Sequence, residues 1–83
     1  EDSPQIFVSG EDWLAQTHEA LRRVGRVDLC VPREQLDHIS SMLAELQLQP
    51  VDLLGLYLYP RVGSIRRSQG DVVFRVELAE ALQ

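Results

Sequence analysis

The residues best suited to chemistry in this chain are arginines. Arg61, Arg66 and Arg67 fall within the polar run Pro60–Gly70, directly after Tyr57 and Tyr59. Guanidinium forks take phosphate oxygens in pairs, which makes the cluster a candidate contact site for RNA. The two tyrosines could face a partner beside it. The competing reading is a solvated loop that keeps a hairpin soluble.

The remaining polar residues form no reaction centre. No glycine-rich phosphate loop of either common spacing is present. One cysteine and two distant histidines cannot supply the four ligands of a zinc site. His18 and His38 belong to different helical patterns, so each reads as a rim or solvated side chain. Cys30 lies inside an apolar run and reads as a small buried hydrophobe ahead of a reactive thiol, whether alone or in a dyad with His38. Asp37-His38 reads as helix surface polarity. Asp28 is the odd carboxylate, placed in a strand-like run, where it faces the strand edge or pairs with an arginine such as Arg26. No catalytic, cofactor-binding or metal-binding residue is assigned, and no activity is expected from this chain alone.

Composition sets the bounds. Eighty-three residues make one small domain or the distal half of a larger α/β domain. A hydrophobic fraction of 45% argues against disorder. No apolar run approaches the roughly 20 residues that a membrane helix needs. Met42 is the single methionine and position 1 is Glu, which suggests a piece of a longer protein. The net charge of −5 argues against a general nucleic-acid surface. A lone cysteine fits a reducing, cytoplasmic setting.

The elements follow from periodicity and punctuation. Gln5–Val8 is an edge strand or an extended lead-in. Ser9-Gly10-Glu11-Asp12 has the form of a capping box. From about Glu11 to Val24, Trp13, Leu14, Thr17, Ala20, Leu21 and Val24 make one helical stripe, and Gly25 suits its C-terminal stop. Arg26–Val31 reads as a strand, with Val27, Leu29 and Val31 on one face and Arg26, Asp28 and Cys30 on the other. After Pro32, the stripe Leu36, Ile39, Met42, Leu43 and Leu46 marks a second helix ending before Pro50. Val51–Tyr59 reads as one strand, apolar on both faces, with Gly55 as a bulge or a close approach. The run 60–70 reads as a mobile Arg-rich loop. Asp71–Leu78 reads as a strand with Val72, Phe74, Val76 and Leu78 inward, pairing antiparallel with the strand before the loop. The fold class is therefore α/β, with α+β as its alternative: two helices on a small mixed sheet in the order (β)-α-β-α-β-β.

From Gly10 to Leu78 this pattern resembles the C-terminal half of a class I S-adenosylmethionine-dependent methyltransferase. It is similar to the tRNA adenine-N6 methyltransferase group in particular. The resemblance rests on Glu11-Asp-Trp-Leu14, on Gly25–Pro32, on Tyr57-Leu-Tyr-Pro-Arg61 and on Phe74-Arg-Val-Glu77. It implies a final strand antiparallel to the rest of the sheet. It also implies that cofactor loop and Asn-Pro-Pro-Tyr motif lie in a preceding half. S-adenosylmethionine would then be bound only once that half is supplied. The alternative reading is a non-enzymatic, ferredoxin-like protein-interaction module. Both readings call for a protein partner: the missing half, a second copy, or another chain.

Overall fold

In the computed structural model, residues 4–68 and 71–79 are described, without the side chains of 64–68. The strand β1 is Gln5–Phe7, the helix α1 is Trp13–Arg23 and the strand β2 is Arg26–Val31. β1 and β2 pair in parallel, with Ile6 beside Leu29, so α1 is the crossover that a parallel pair requires. Helix α1 starts later than the Ser9 pattern suggests. Gly10 takes φ +71, Asp12 occupies the N-cap position, and its side chain makes no capping bond. At the other end Gly25 has φ +90, and its N–H reaches back to the Ala20 carbonyl at 3.3 Å. That left-handed turn is what returns the chain into β2.

Pro32 leads a single 3₁₀ turn over Arg33–Gln35, which runs into the helix α2, Leu36–Leu46. Proline at this position loses no helical hydrogen bond. The strand expected over Val51–Tyr59 is broken in two. β3 is Val51–Leu53 and β4 begins at Leu56. Between them Leu54 and Gly55 both have positive φ, 56° and 87°. Two such residues in sequence make the tight hairpin turn whose twist matches its strands. Gly55 is thus a turn residue, and its N–H is held by the Asp52 carboxylate at 3.0 Å. Leu54 is 96% exposed and Tyr57 67% exposed, so this hairpin is not covered on both sides.

The larger correction concerns residues 60–70. They are not a loop as far as Ser68: β4 runs Leu56–Ser68 and pairs antiparallel with β5, Asp71–Ala79. Residues 69 and 70 lie outside the described residues. The pairing absorbs one irregularity between Ser64 and Arg66, a bulge that lets a polar, glycine-containing run stay in register.

The strands form one mixed sheet in the order β1-β2-β5-β4-β3. β5 lies between β2 and β4 and is antiparallel to both. Among the described residues two helices lie on this sheet, which matches the expected class, and β4 pairs antiparallel with β5. Residues directly opposite in neighbouring strands share a face. Ile6, Leu29 and Phe74 therefore share one face, with Val27, Val76 and Val62 in the next row. Trp13, Ala20 and Leu21 of α1 and Ile39, Leu43 and Leu46 of α2 join these strand residues in a single core cluster. Both helices thus cover one face. Val51 reaches the same cluster, and β3 lies alongside α1.

Candidate functional site

The face of the sheet turned away from the helices holds the side chains that remain for binding. Its rows can be read from the register. In one row Arg26 on β2, Glu77 on β5 and Arg61 on β4 stand side by side. In the next are Gln5, Asp28, Arg75 and Gly63. Phe7, Cys30 and Val73 follow. Tyr59 stands opposite Ala79, and Tyr57 opposite Asp52.

Asp28 is the pivot of this face. It is 7% exposed, and Arg75 grips it with both arms of the guanidinium: Nε donates to Oδ1 at 2.9 Å and Nη2 donates to Oδ2 at 3.3 Å. The register makes the fork, since Asp28 and Arg75 are direct cross-strand partners. The arginine that pairs with it is Arg75, 47 residues away in the sequence. The Arg75 guanidinium is held above its ordinary value, first by the hydrogen bond it donates to Asp28 and then by that residue's charge. An arginine is charged at every working pH in any case, so the shift reports attraction and no switch.

Of the residues expected to make contacts, Tyr57, Tyr59 and Arg61 alternate along β4 and so share the bare face, the one that neither described helix covers. Arg61 and Tyr57 are exposed, and Tyr59 is half-buried. Arg66 and Arg67 continue the same strand, their backbones paired with Val73 and Val72. Their side chains lie outside the described residues. The five residues are thus gathered on one strand and not on a loop. Sequence reasoning missed Arg75 and Glu77 as members of the site, although their alternation with Phe74 and Val76 already put them on the outer face.

The histidines take no part. His18 is half-buried at the α1–α2 seam beside Met42 and Glu45, while His38 is exposed on α2. Cys30 is a free, half-buried thiol. Among the described residues no group of three or more His, Cys, Asp or Glu could hold a metal ion. Among the same residues no helix is long and apolar enough to cross a membrane. Comparison of the chain with protein-family models, curated proteins and solved structures returned no match.

Proposed function

We propose that this chain is a non-enzymatic protein-interaction module that binds its partner on the bare face of the sheet. One observation carries the reading. Both helices pack on a single face, and the opposite face presents Phe7 at 65% exposure and Tyr57 at 67% beside an ordered row of charges. The charges alternate in sign from Arg26 through Glu77 to Arg61, and Asp28 neutralises Arg75. A mixed row of this kind complements another protein surface, whereas a phosphate backbone is drawn to cations of one sign. The net charge of −5 supports the same preference. A free thiol on this face is in keeping with a reducing cytoplasm. The test is affinity capture from the source cells with the wild-type chain, with Arg61→Glu, Tyr57→Ser and Phe7→Ser, and with the helix-surface variants Ser40→Glu and Ala44→Glu. The reading requires a partner that is lost with the sheet variants and kept with the helix variants. Equal retention by all of them would sink it.

A second reading follows from strand order. The resemblance to the distal half of a class I methyltransferase implies a last strand antiparallel to its neighbours. The position of β5 between β2 and β4, beside the parallel pair β1–β2, supports that reading. In that case a preceding half supplies the S-adenosylmethionine loop and the reacting residues, and this chain supplies sheet and helices. The parent gene decides it: the idea fails if the coding sequence ahead of Glu1 holds neither a glycine-rich loop nor Asn-Pro-Pro-Tyr.

A further inference from the structure

The two edges of the sheet are built differently. On the β4 side, the even-numbered residues from Leu56 to Val62 point their backbone groups away from β5. Leu56 and Leu58 face β3 in this way, and Val62 donates its N–H to the Gln47 side chain at 3.2 Å. Pro60 shares that parity and has no N–H to offer. Arg61 lies on this strand too, and an antiparallel pairing of two such edges centred on it would set like charges in apposition, which repel. Proline, a plugging side chain and repeated charge are devices that keep an edge from pairing.

The β1 edge has none of these. The Pro4 carbonyl accepts from Asp28 at 2.8 Å and the Val8 N–H donates to Cys30 at 3.0 Å. By the two-residue period, Gln5 and Phe7 therefore aim their N–H and C=O groups away from the sheet. Among the described residues no strand lies beyond them. The edge carries no charge. Beside it, between β1 and α1, runs an apolar groove of about 510 Å³ floored by Ile6 and Ala20, with Val24 45% exposed at one end and Glu19 and Arg23 on its rim.

We infer that the β1 edge pairs with the β1 edge of a second copy of this chain, antiparallel about a two-fold axis at Ile6. Gln5 of each copy then faces Phe7 of the other. Those are the residues whose backbone groups point outward, so each pair exchanges both of its hydrogen bonds. The two Ile6 side chains meet under the helices and close the groove. The same axis sets α1 antiparallel to its copy. Helix α1 contacts β1 and β2 as well as β3, so the same axis brings its β1 side toward the copy. Ala15 and Ala20 permit that approach. Glu19 of each copy comes opposite Arg23 of the other, the reciprocal contact that an isologous interface demands. Glu19 now lies 3.9 Å from Arg22 at an exposed site, a weak contact that it can exchange. Phe7 borders this seam, but the part of the sheet face that carries Tyr57 and Arg61 is left open on both copies, so variants there separate this association from the partner binding proposed above. In the methyltransferase reading the same edge would instead be filled by the preceding half.

The test is sedimentation equilibrium of the 83-residue chain from about 1 µM to about 1 mM, a span that covers weak to moderate dimers. The mass doubles across this range. Gln5→Pro removes an outward N–H that the monomer does not use, and it leaves the mass monomeric with unchanged circular dichroism. Glu19→Arg weakens the dimer about tenfold, and adding Arg23→Glu to it restores the wild-type constant. These helix positions are exposed, so they test the interface even if proline at position 5 disturbs β1. Arg61→Glu leaves the dimer intact, which separates this result from the fate of the bare-face reading. A monomer at every concentration overturns the inference. So does a dimer that neither Gln5→Pro nor Glu19→Arg alters.

Discussion

Asp28 and Arg75 face each other across β2 and β5 in a two-pronged ion pair whose carboxylate is nearly buried and whose guanidinium is half open to water. The asymmetry decides what each deletion does. Asp28→Ala releases an arginine that water can solvate. Arg75→Leu strands a carboxylate in a site with little water, and such a charge is costly without its partner. Arg75→Leu is therefore the more damaging of the two in thermal unfolding. Adding Asp28→Leu to it recovers much of the loss. Equal losses from both single variants would contradict this account.

The pH dependence has a definite sign. The guanidinium of Arg75 is held above its ordinary value by the Asp28 hydrogen bond and charge. A cation whose pKa is raised on folding contributes stability at every pH below its unfolded value, and loses it only as pH rises through the folded one. For arginine that window lies above about pH 12. Wild-type and Arg75→Leu proteins should accordingly show a constant difference in urea midpoint between about pH 7 and pH 10. A difference that decays within that interval would require another titrating group.

Leu54 offers a gain in stability. It is 96% exposed and holds φ +56, a left-handed conformation that places its Cβ against the following carbonyl. Its side chain contributes no burial to offset that strain. Leu54→Asn yields the Asn-Gly pair that such a turn prefers, and stability should rise by about 1 kcal/mol. Gly55→Ala places a Cβ at φ +87 and should lower it by a similar amount. Urea denaturation of both variants measures the two signs.

These cases also mark where sequence reading succeeds. The stripe Trp13, Thr17, Ala20 and Leu21 and the stripe Ile39, Leu43 and Leu46 are legible because burial in a helix repeats every three or four residues. The alternation of Val27, Leu29 and Val31 is legible for the matching reason in a strand. The strand character of residues 60–68 is hidden, because Pro60, Gly63, Ser64 and two adjacent arginines carry the composition of a loop. What makes them a strand is pairing with β5, a long-range relation. The break at Leu54 is hidden too, since leucine seldom marks a left-handed turn. The Asp28–Arg75 pair depends on the β2–β5 register, which no local pattern encodes.

Leu21 tests the core that joins both helices to the sheet. It is fully buried on the face of α1 that meets the strands. Leu21→Ala removes apolar area and leaves a cavity, a change that costs roughly 2–5 kcal/mol in such sites. Exposed Ala15→Ser on the same helix should stay within about 0.5 kcal/mol. If Leu21→Ala unfolds at the wild-type urea midpoint, the packing of α1 against the sheet described above is wrong.

Gln47 protects the longer free edge. Just past the end of α2, its Oε1 accepts the Val62 N–H at 3.2 Å, which is the donor that an added strand would seek first. Pro60 beside it has no donor, so one glutamine suffices to close that stretch. Gln47→Ala exposes the Val62 amide to water, and the net loss is that of one hydrogen bond, about 0.5–1 kcal/mol. The larger effect is on association. An edge with its plug removed pairs more readily with other edges. The variant should show faster exchange of the Val62 amide and earlier aggregation on heating than Gln47→Glu, which retains an acceptor. Unchanged Val62 exchange in Gln47→Ala would mean that the side chain guards nothing.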